Sequence, residues 1–416
     1  MHFCSRCLYT SHHPLHLVFD ADGVCSGCRI HEEKDARDWS ERSEKLKSIF
    51  DVYRNRSGRN YDCIVPVSGA RDSYFIVHTV KNVYGLNPLL VTYNKQYNTD
   101  VGVRNLARLR TVFDCDLMTL TVNPDTVKRI TRSTFRRFGS VYWHCLAGQT
   151  VYPVQIAVKF KIPLIVWGAH QGVDQVGMFS HDDEVEMTRR YRKQHDLMGY
   201  EAEDLIDEFD NVTAPDVTPY VYPDNRELEQ VGVRGIYLNN YIRWDSRAQH
   251  ESMIGKYGYE TAPQTRTFDT YNDVDCWNYS DVHDYIKLLK HGFGKVVDHA
   301  CREIRLRRMS RETAIDLVKP LLFAKPSNLT LLLDWLGITE NAFHYVVDQH
   351  RNRQFWSRDD AWEWQFGVDL PQGWAQSGDP DQALPSVGEH RDFILTGKDA
   401  STDRADSYIL IGKGTA

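Results

Sequence analysis

No run of about 18 apolar residues occurs in the 416-residue chain, so nothing in it reads as a membrane-spanning helix. Positive charge is not in excess either. Fifty Lys and Arg against 57 Asp and Glu leave a formal net charge of −7. A protein whose main substrate is RNA or DNA ordinarily carries a basic surplus, so this balance argues against nucleic acid as the main substrate. The start, Met1-His2-Phe3-Cys4, has no basic segment followed by an apolar one. No secretion signal is therefore expected, and the cytoplasm is the expected compartment. A GxxxxGK[ST] nucleotide loop and a G-x-C-x-G nucleophile elbow are both missing, and residue 2 is His. An N-terminal cysteine nucleophile is not expected.

What the chain does contain is ample for a core. It is 42% hydrophobic, with 22 Tyr, 17 Phe and 10 Trp, which argues against wholesale disorder. Nine cysteines is an odd count, and four of them fall into two CxxC pairs. That distribution suits a reducing compartment and a metal site better than a disulfide scaffold.

The texture divides the chain into five parts. Residues 1–32 form a compact Cys/His-rich unit. Residues 33–60 are polar, with Trp39, Leu46, Ile49, Phe50 and Tyr53 near helical spacing, and read as a linker helix. Residues 61–205 alternate apolar strands (61–67, 88–93, 116–122, 162–167) with helical segments, the pattern of a parallel sheet covered on both faces. Ligands bind such sheets at the rim formed by the strand C-termini. Residues 206–370 read as mainly helical. Residues 371–416 are rich in Gly, Pro, Ser and Asp, with two short apolar pieces, 392–396 and 407–411, that could pair as a hairpin.

Two motifs carry chemistry. The first is Cys4-x2-Cys7, seventeen intervening residues, then Cys25-x2-Cys28. Two such knuckles supply four thiolates to a tetrahedron, as a structural zinc ion requires. Redox thiols are the alternative. His12, His13 and His16 between the knuckles read as exposed loop residues. The second motif is Ile64-Val65-Pro66-Val67-Ser68-Gly69-Ala70-Arg71-Asp72-Ser73, a strand, a turn of small residues and a helix start. Small residues let backbone N–H groups approach phosphate, and the helix N-terminus adds positive potential. Ser68 and Ser73 can donate hydroxyl hydrogen bonds, Arg71 can pair with phosphate, and Asp72 can hold Mg²⁺ or cap the helix.

This second motif resembles the SGGxDS signature of the PP-loop ATP pyrophosphatases, with Ala70 in place of the second glycine. With the cysteines, and with Asp22-Gly23-Val24-Cys25-Ser26-Gly27-Cys28, Trp167-Gly168, His195-Asp196-Leu197-Met198-Gly199, residues 233–238, Asp273 to Cys276, His283-Asp284-Tyr285 and His291-Gly292-Phe293-Gly294, the chain is similar to the N-acetyl sugar amidotransferases of bacterial surface-polysaccharide loci. These are related to the enzymes that form acetamidino groups on pseudaminic acid. The resemblance implies an adenine nucleotide alpha hydrolase-like α/β domain, with ATP and Mg²⁺ as cofactors and structural Zn²⁺ in the ribbon. It implies adenylation of a sugar N-acetyl oxygen and its replacement by ammonia-derived nitrogen. Ammonia would come from a separate glutaminase, similar to that of imidazole-glycerol-phosphate synthase, with a cyclase-like companion possible. The substrate would be a nucleotide sugar.

The expected site is then Ser68, Gly69, Ala70, Arg71, Asp72 and Ser73 at the phosphates, Thr92 and Tyr93 near adenine, and Gly168 on the same rim. Asp72, Arg71 and His170 are the candidate catalytic residues, His170 as a base or a substrate contact. His283 and Asp284 sit at an expected helix start. Arg132, Arg136 and Arg137 read as a solvated helix face, with sugar-diphosphate binding as the alternative. A second reading, a zinc-ribbon tRNA thiolase, requires a reactive cysteine pair where Cys145 stands alone. A third is a non-catalytic scaffold weakened by Ala70.

Overall fold

The computed structural model describes residues 2–15, 17–70, 72–368 and 373. Its centre is a five-stranded parallel sheet in the order β3-β2-β1-β4-β5. The strands are β1 (Cys63–Pro66), β2 (Pro88–Tyr93), β3 (Leu117–Leu120), β4 (Leu164–Trp167) and β5 (Arg234–Tyr237). Alternation of side chains along each strand feeds two cores. Val65, Leu90, Leu164, Val166 and Ile236 pack on one face against Leu46, Ile49 and Phe50 of α2 (Trp39–Tyr53), Tyr74 and Val77 of α3 (Ser73–Val77) and Leu109 of α4 (Asp100–Val112). Ile64, Leu89, Val91 and Ile165 pack on the other against Val151, Val154, Ile156 and Ala157 of α6 (Trp143–Phe160). The segment read as a linker helix, 33–60, holds the end of α1 (Ser26–Ala36) and the whole of α2, and α2 closes one face of the sheet.

Local signals explain most boundaries. The Thr99 side chain accepts from the Gly102 N–H at the start of α4. Asn123 caps α5 (Pro124–Phe138), which has Pro124 at its first position and Gly139 at φ +64° just past its end. The chain runs from β1 to β2 and β3 on one side, then returns to pair β4 on the other. The crevice beyond the C-termini of β1 and β4 is therefore the topological switch point where open α/β sheets bind ligands.

Beyond residue 205 the chain is helical, with helices Trp277–His291, Lys295–Arg305, Arg311–Leu322, Leu329–Leu336 and Glu340–His350. Two features depart from the sequence reading. β5 lies past that boundary and extends the sheet, pairing with β4 from Leu164↔Arg234 to Trp167↔Tyr237. An antiparallel hairpin, β6 (Trp356–Arg358) with β7 (Trp364–Phe366), follows the last helix. The N-terminal unit does not stand apart. Leu8, Tyr9 and Val24 share one core with Val296, Val297, Ala300 and Cys301 of the C-terminal helices. The hairpin expected within 371–416 lies outside the described residues.

Candidate functional site

The turn after β1 is drawn tight by its two serines. The Ser68 N–H donates to Ser73 Oγ at 2.9 Å, and Ser73 Oγ donates to the Ala70 carbonyl at 3.0 Å. Ser68 Oγ accepts from the Ala70 N–H and donates to the Ala70 carbonyl, each at 3.2 Å. Both hydroxyl protons expected at phosphate are thus engaged inside the loop, and a ligand would have to exchange for them. The Gly69 N–H makes no hydrogen bond within the described residues. Ala70 is fully buried and its backbone is not left-handed, so alanine costs no strain there. Arg71 lies outside the described residues.

Asp72 precedes α3 without a side-chain capping bond. Its carboxylate instead crosses to the end of β4, where a Cβ at Gly168 would lie 3.1 Å from Asp72 Oδ2. The structure therefore brings Ser68, Gly69, Ala70, Asp72, Ser73 and Gly168 to one crevice. A cavity of about 230 Å³ opens beside it, between the ends of β1–β3 and α4. Ser68, Gly69, Thr92 and Tyr93 line it, as do Asn94, Lys95, Leu106, Arg110 and Asp275. The Tyr93 ring turns away toward α6, its hydroxyl within 3.0 Å of His144 Nδ1 and 2.8 Å of the Tyr220 hydroxyl. A Cβ at Gly148 would meet that ring at 2.3 Å, so a glycine is needed there.

Lys95 and Gly102 of this site escaped the sequence reading, and Asp275 entered it only within the quoted segment Asp273 to Cys276, with no place in the site. A Cβ on Gly69 would fall 2.0 Å from the Gly102 carbonyl oxygen, and one on Gly102 would fall 2.4 Å from the Asp275 Cα. Three backbones are thus stacked in contact beside the cavity. A glycine inside a helix, as at position 102, is the one local signal that could have drawn attention to it.

His170 is not in the cavity lining. It is 1% exposed and caps α7 (Gln171–Asp174), its Nδ1 accepting from the Gly172 N–H at 3.0 Å. Tyr191 and Tyr237 pack on its ring at 4.3 and 4.7 Å. Burial, with nearby His195, pushes its pKa down to about 3. A neutral ring that accepts at Nδ1 carries its proton on Nε2, which finds no hydrogen-bond partner among the described residues. His283 and Asp284 lie well inside helix Trp277–His291 rather than at its start. Asp284 accepts from the Lys295 N–H at 2.5 Å and from Arg266 Nε at 2.9 Å, so it serves the start of the next helix. The arginines of α5 are tied rather than free. Arg132 donates to the Leu336 carbonyl, Arg136 to Asp210 and Arg137 to the Asp204 carbonyl. Cys145 is fully buried, and burial pushes its thiol pKa up, which is unfavourable for the persulfide chemistry of a thiolase.

In the N-terminal unit, Cys4, Cys7, Cys25 and Cys28 present four buried sulfurs within 4.8 Å of one another. Cys4 and Cys28 Sγ are 4.0 Å apart, and Cys7 and Cys25 Sγ 3.6 Å. Zinc–sulfur bonds of about 2.3 Å in a tetrahedron require sulfurs about 3.8 Å apart, so the four residues fit a zinc ion. Four thiolates around a divalent cation leave net negative charge. Arg305 Nη2 answers it, 3.6 Å from Cys25 Sγ and 3.9 Å from Cys7 Sγ. Arg311 donates to the Cys7 and Cys4 carbonyls at 3.3 and 3.2 Å. His13, expected in an exposed loop, has a side chain only 2% exposed, between the rings of Tyr9 and Phe293. His16 lies outside the described residues.

Fold and site together define an α/β protein with a cavity beside the turn after β1 and an N-terminal tetracysteine group that could hold zinc. Comparison with known proteins adds to this at the C-terminal end. Residues 265–370 match the family model described as LPS biosynthesis protein WbpG-like, C-terminal domain. That region, which includes Asp275, is similar to a domain of lipopolysaccharide biosynthesis proteins. A 117-residue stretch, 28% of the chain, is 25% identical to an uncharacterized protein, MJ1599, of Methanocaldococcus jannaschii. The match takes in 42% of that protein, less than half its length. Among the described residues no helix is long and apolar enough to cross a membrane.

Proposed function

We propose that this chain is an ATP-dependent, AMP-forming amidotransferase that converts a sugar acetamido group into an acetamidino group in surface-polysaccharide biosynthesis. The observation that carries the reading is the juxtaposition of the Ser68–Ser73 turn and its cavity with Asp275, which comes from the region similar to lipopolysaccharide biosynthesis proteins. In the first step the amide oxygen of the sugar N-acetyl group attacks the α-phosphorus of ATP. The bond to the β-phosphate oxygen breaks, releasing pyrophosphate and leaving an O-adenylyl imidate. In the second step ammonia adds to the imidate carbon, the C–O bond breaks, AMP leaves and one proton is lost. An amide oxygen is a poor leaving group, and adenylation turns it into a good one.

The residues have distinct tasks in this scheme. The Gly69 N–H and the start of α3 face phosphate charge as it develops. Asp72, over Gly168, would hold Mg²⁺, which would neutralise the departing pyrophosphate. The tetracysteine zinc is structural, since four protein ligands leave it no open position. Ammonia is assigned to a separate glutaminase subunit, similar to that of imidazole-glycerol-phosphate synthase. The test supplies ATP, Mg²⁺, ammonium and a UDP-diacetamido-uronic acid or a related nonulosonic acid. AMP should form together with a sugar product lighter by the exchange of O for NH. Absence of both products with well-folded, zinc-loaded protein rejects the proposal.

A further inference from the structure

Lys95 follows the C-terminal end of β2 and is buried, yet it lines the cavity. Its Nζ donates to Asp275 Oδ2 at 2.7 Å, and each side chain is 6% exposed. An ammonium carries three N–H donors and a carboxylate two acceptor oxygens. Within the described residues this bond is the one hydrogen bond of the Lys95 ammonium, and Asp275 Oδ1 accepts none. Two charged donors and a carboxylate oxygen are therefore left to the cavity. Burying an ion pair is expensive, and most expensive where its remaining hydrogen-bonding capacity goes unmet. Burial lowers the Lys95 pKa, but the Asp275 carboxylate, joined by Cys276, Tyr142 and Cys145, together raises it well above the ordinary value.

The pair is held from both sides. The Thr99 N–H donates to the Asp275 carbonyl at 3.2 Å, and Thr99 Oγ1 donates to the Val274 carbonyl. Gly102, with no side chain, lets the Asp275 backbone come down onto α4. Behind the loop, Lys295 Nζ lies 3.8 Å from Asp273 and 2.6 Å from Asp281. Loop 273–276 is thus anchored independently of the Lys95–Asp275 bond, and that bond is not needed to place it.

We propose that Lys95 is a phosphate-binding residue of the nucleotide cavity and that Asp275, from the C-terminal region, is its counter-ion in the empty site. This rests on the reading of the cavity as an ATP site. When nucleotide enters, the two remaining Lys95 N–H donors turn to phosphate oxygens, and Asp275 stays in place. The C-terminal region then tunes the charge that the triphosphate meets.

Calorimetry on the full chain, with ATP and with adenosine as separate ligands, tests this. Wild type should bind ATP more tightly than adenosine. In K95M/D275N both charges are removed together, so no lone ion is left behind. ATP affinity should fall at least about tenfold, the worth of a charge-assisted hydrogen bond, with adenosine affinity unchanged. Unchanged ATP affinity in a variant that melts near the wild-type temperature overturns the inference while leaving the ATP site standing. Failure of wild type to bind ATP at all instead removes the reading on which it rests. If the double variant does not fold, D275N alone decides. It keeps the shape and leaves Lys95 without its counter-ion, so the preference for ATP over adenosine should rise severalfold. An unchanged or reduced preference overturns the proposal.

Discussion

Ala70 stands where the resembling enzymes carry a second glycine, but nothing in its backbone asks for one: it is buried and outside the left-handed region. Replacing it by glycine should therefore give no gain in AMP formation. It should lower stability by about 0.5–1 kcal/mol, because glycine loses more freedom on folding. Melting curves and a turnover assay check both halves, and a rise in turnover would restore the reading of Ala70 as a handicap. Gly102 is the opposite case. A Cβ there would lie 2.4 Å from the Asp275 Cα, and the obstacle is backbone, not a movable side-chain tip. Gly102→Ala should cost about 1–3 kcal/mol and, by pushing Asp275 away from Lys95, raise the preference for ATP over adenosine as D275N does. Denaturation with and without ATP separates the two effects. Residues such as Ser68, Gly69 and Thr92 were readable because strand, turn and helix follow one another along the chain. The pairing of Lys95 with Asp275 was not, since 180 residues separate them and only the folded packing brings them to 2.7 Å.

Among the elements, β2 shows what periodicity reveals and β5 what it conceals. β2 is apolar but for Thr92 and buried at every position, as an interior parallel strand must be. β5 contains Arg234 and Gly235, and each has a tertiary reason. Arg234 forks onto the buried Glu186 carboxylate at 2.7–3.2 Å, and Gly235 makes room for Met187, whose Cβ would lie 2.7 Å from an added one. Neither reason is written locally, so the strand could not be separated from loop. The two knuckles were legible for the converse reason, since CxxC spacing alone fixes which atoms converge. Chelation of the metal, or Cys25→Ser, should lower the melting temperature by several degrees and release one zinc per chain, measured by elemental analysis. Arg305→Met should leave the metal count unchanged but speed its loss to a chelator, because the guanidinium no longer offsets the thiolate charge.

For the molecule as a whole, buried histidines set the response to acid. Burial pushes His144, His170 and His181 down to about 3 from an ordinary 6.5, and all three are nearly inaccessible. Between these values the unfolded chain binds protons that the folded chain refuses. The stability they contribute is therefore present above pH 6.5 and is lost as pH falls toward 3. From pH 7 to pH 5 each should remove about 2 kcal/mol. Urea titrations at the two pH values should show this steep loss, and His181→Gln should lessen it by about one histidine's share. An equal midpoint at both pH values contradicts the assignment.

Order of synthesis has a bearing on the shared core of the first thirty residues and the C-terminal helices. The Leu8 N–H reaches Cys301 Sγ, the Tyr9 hydroxyl reaches Asp298, and Arg311 holds the carbonyls of Cys4 and Cys7. A ribosome adding about 5–20 residues per second needs roughly 15 s to a minute to deliver those partners. Until then this segment, made before its partners, must wait with its apolar side uncovered, so a nascent chain stalled before residue 295 should be a target for chaperones even with its metal already in place.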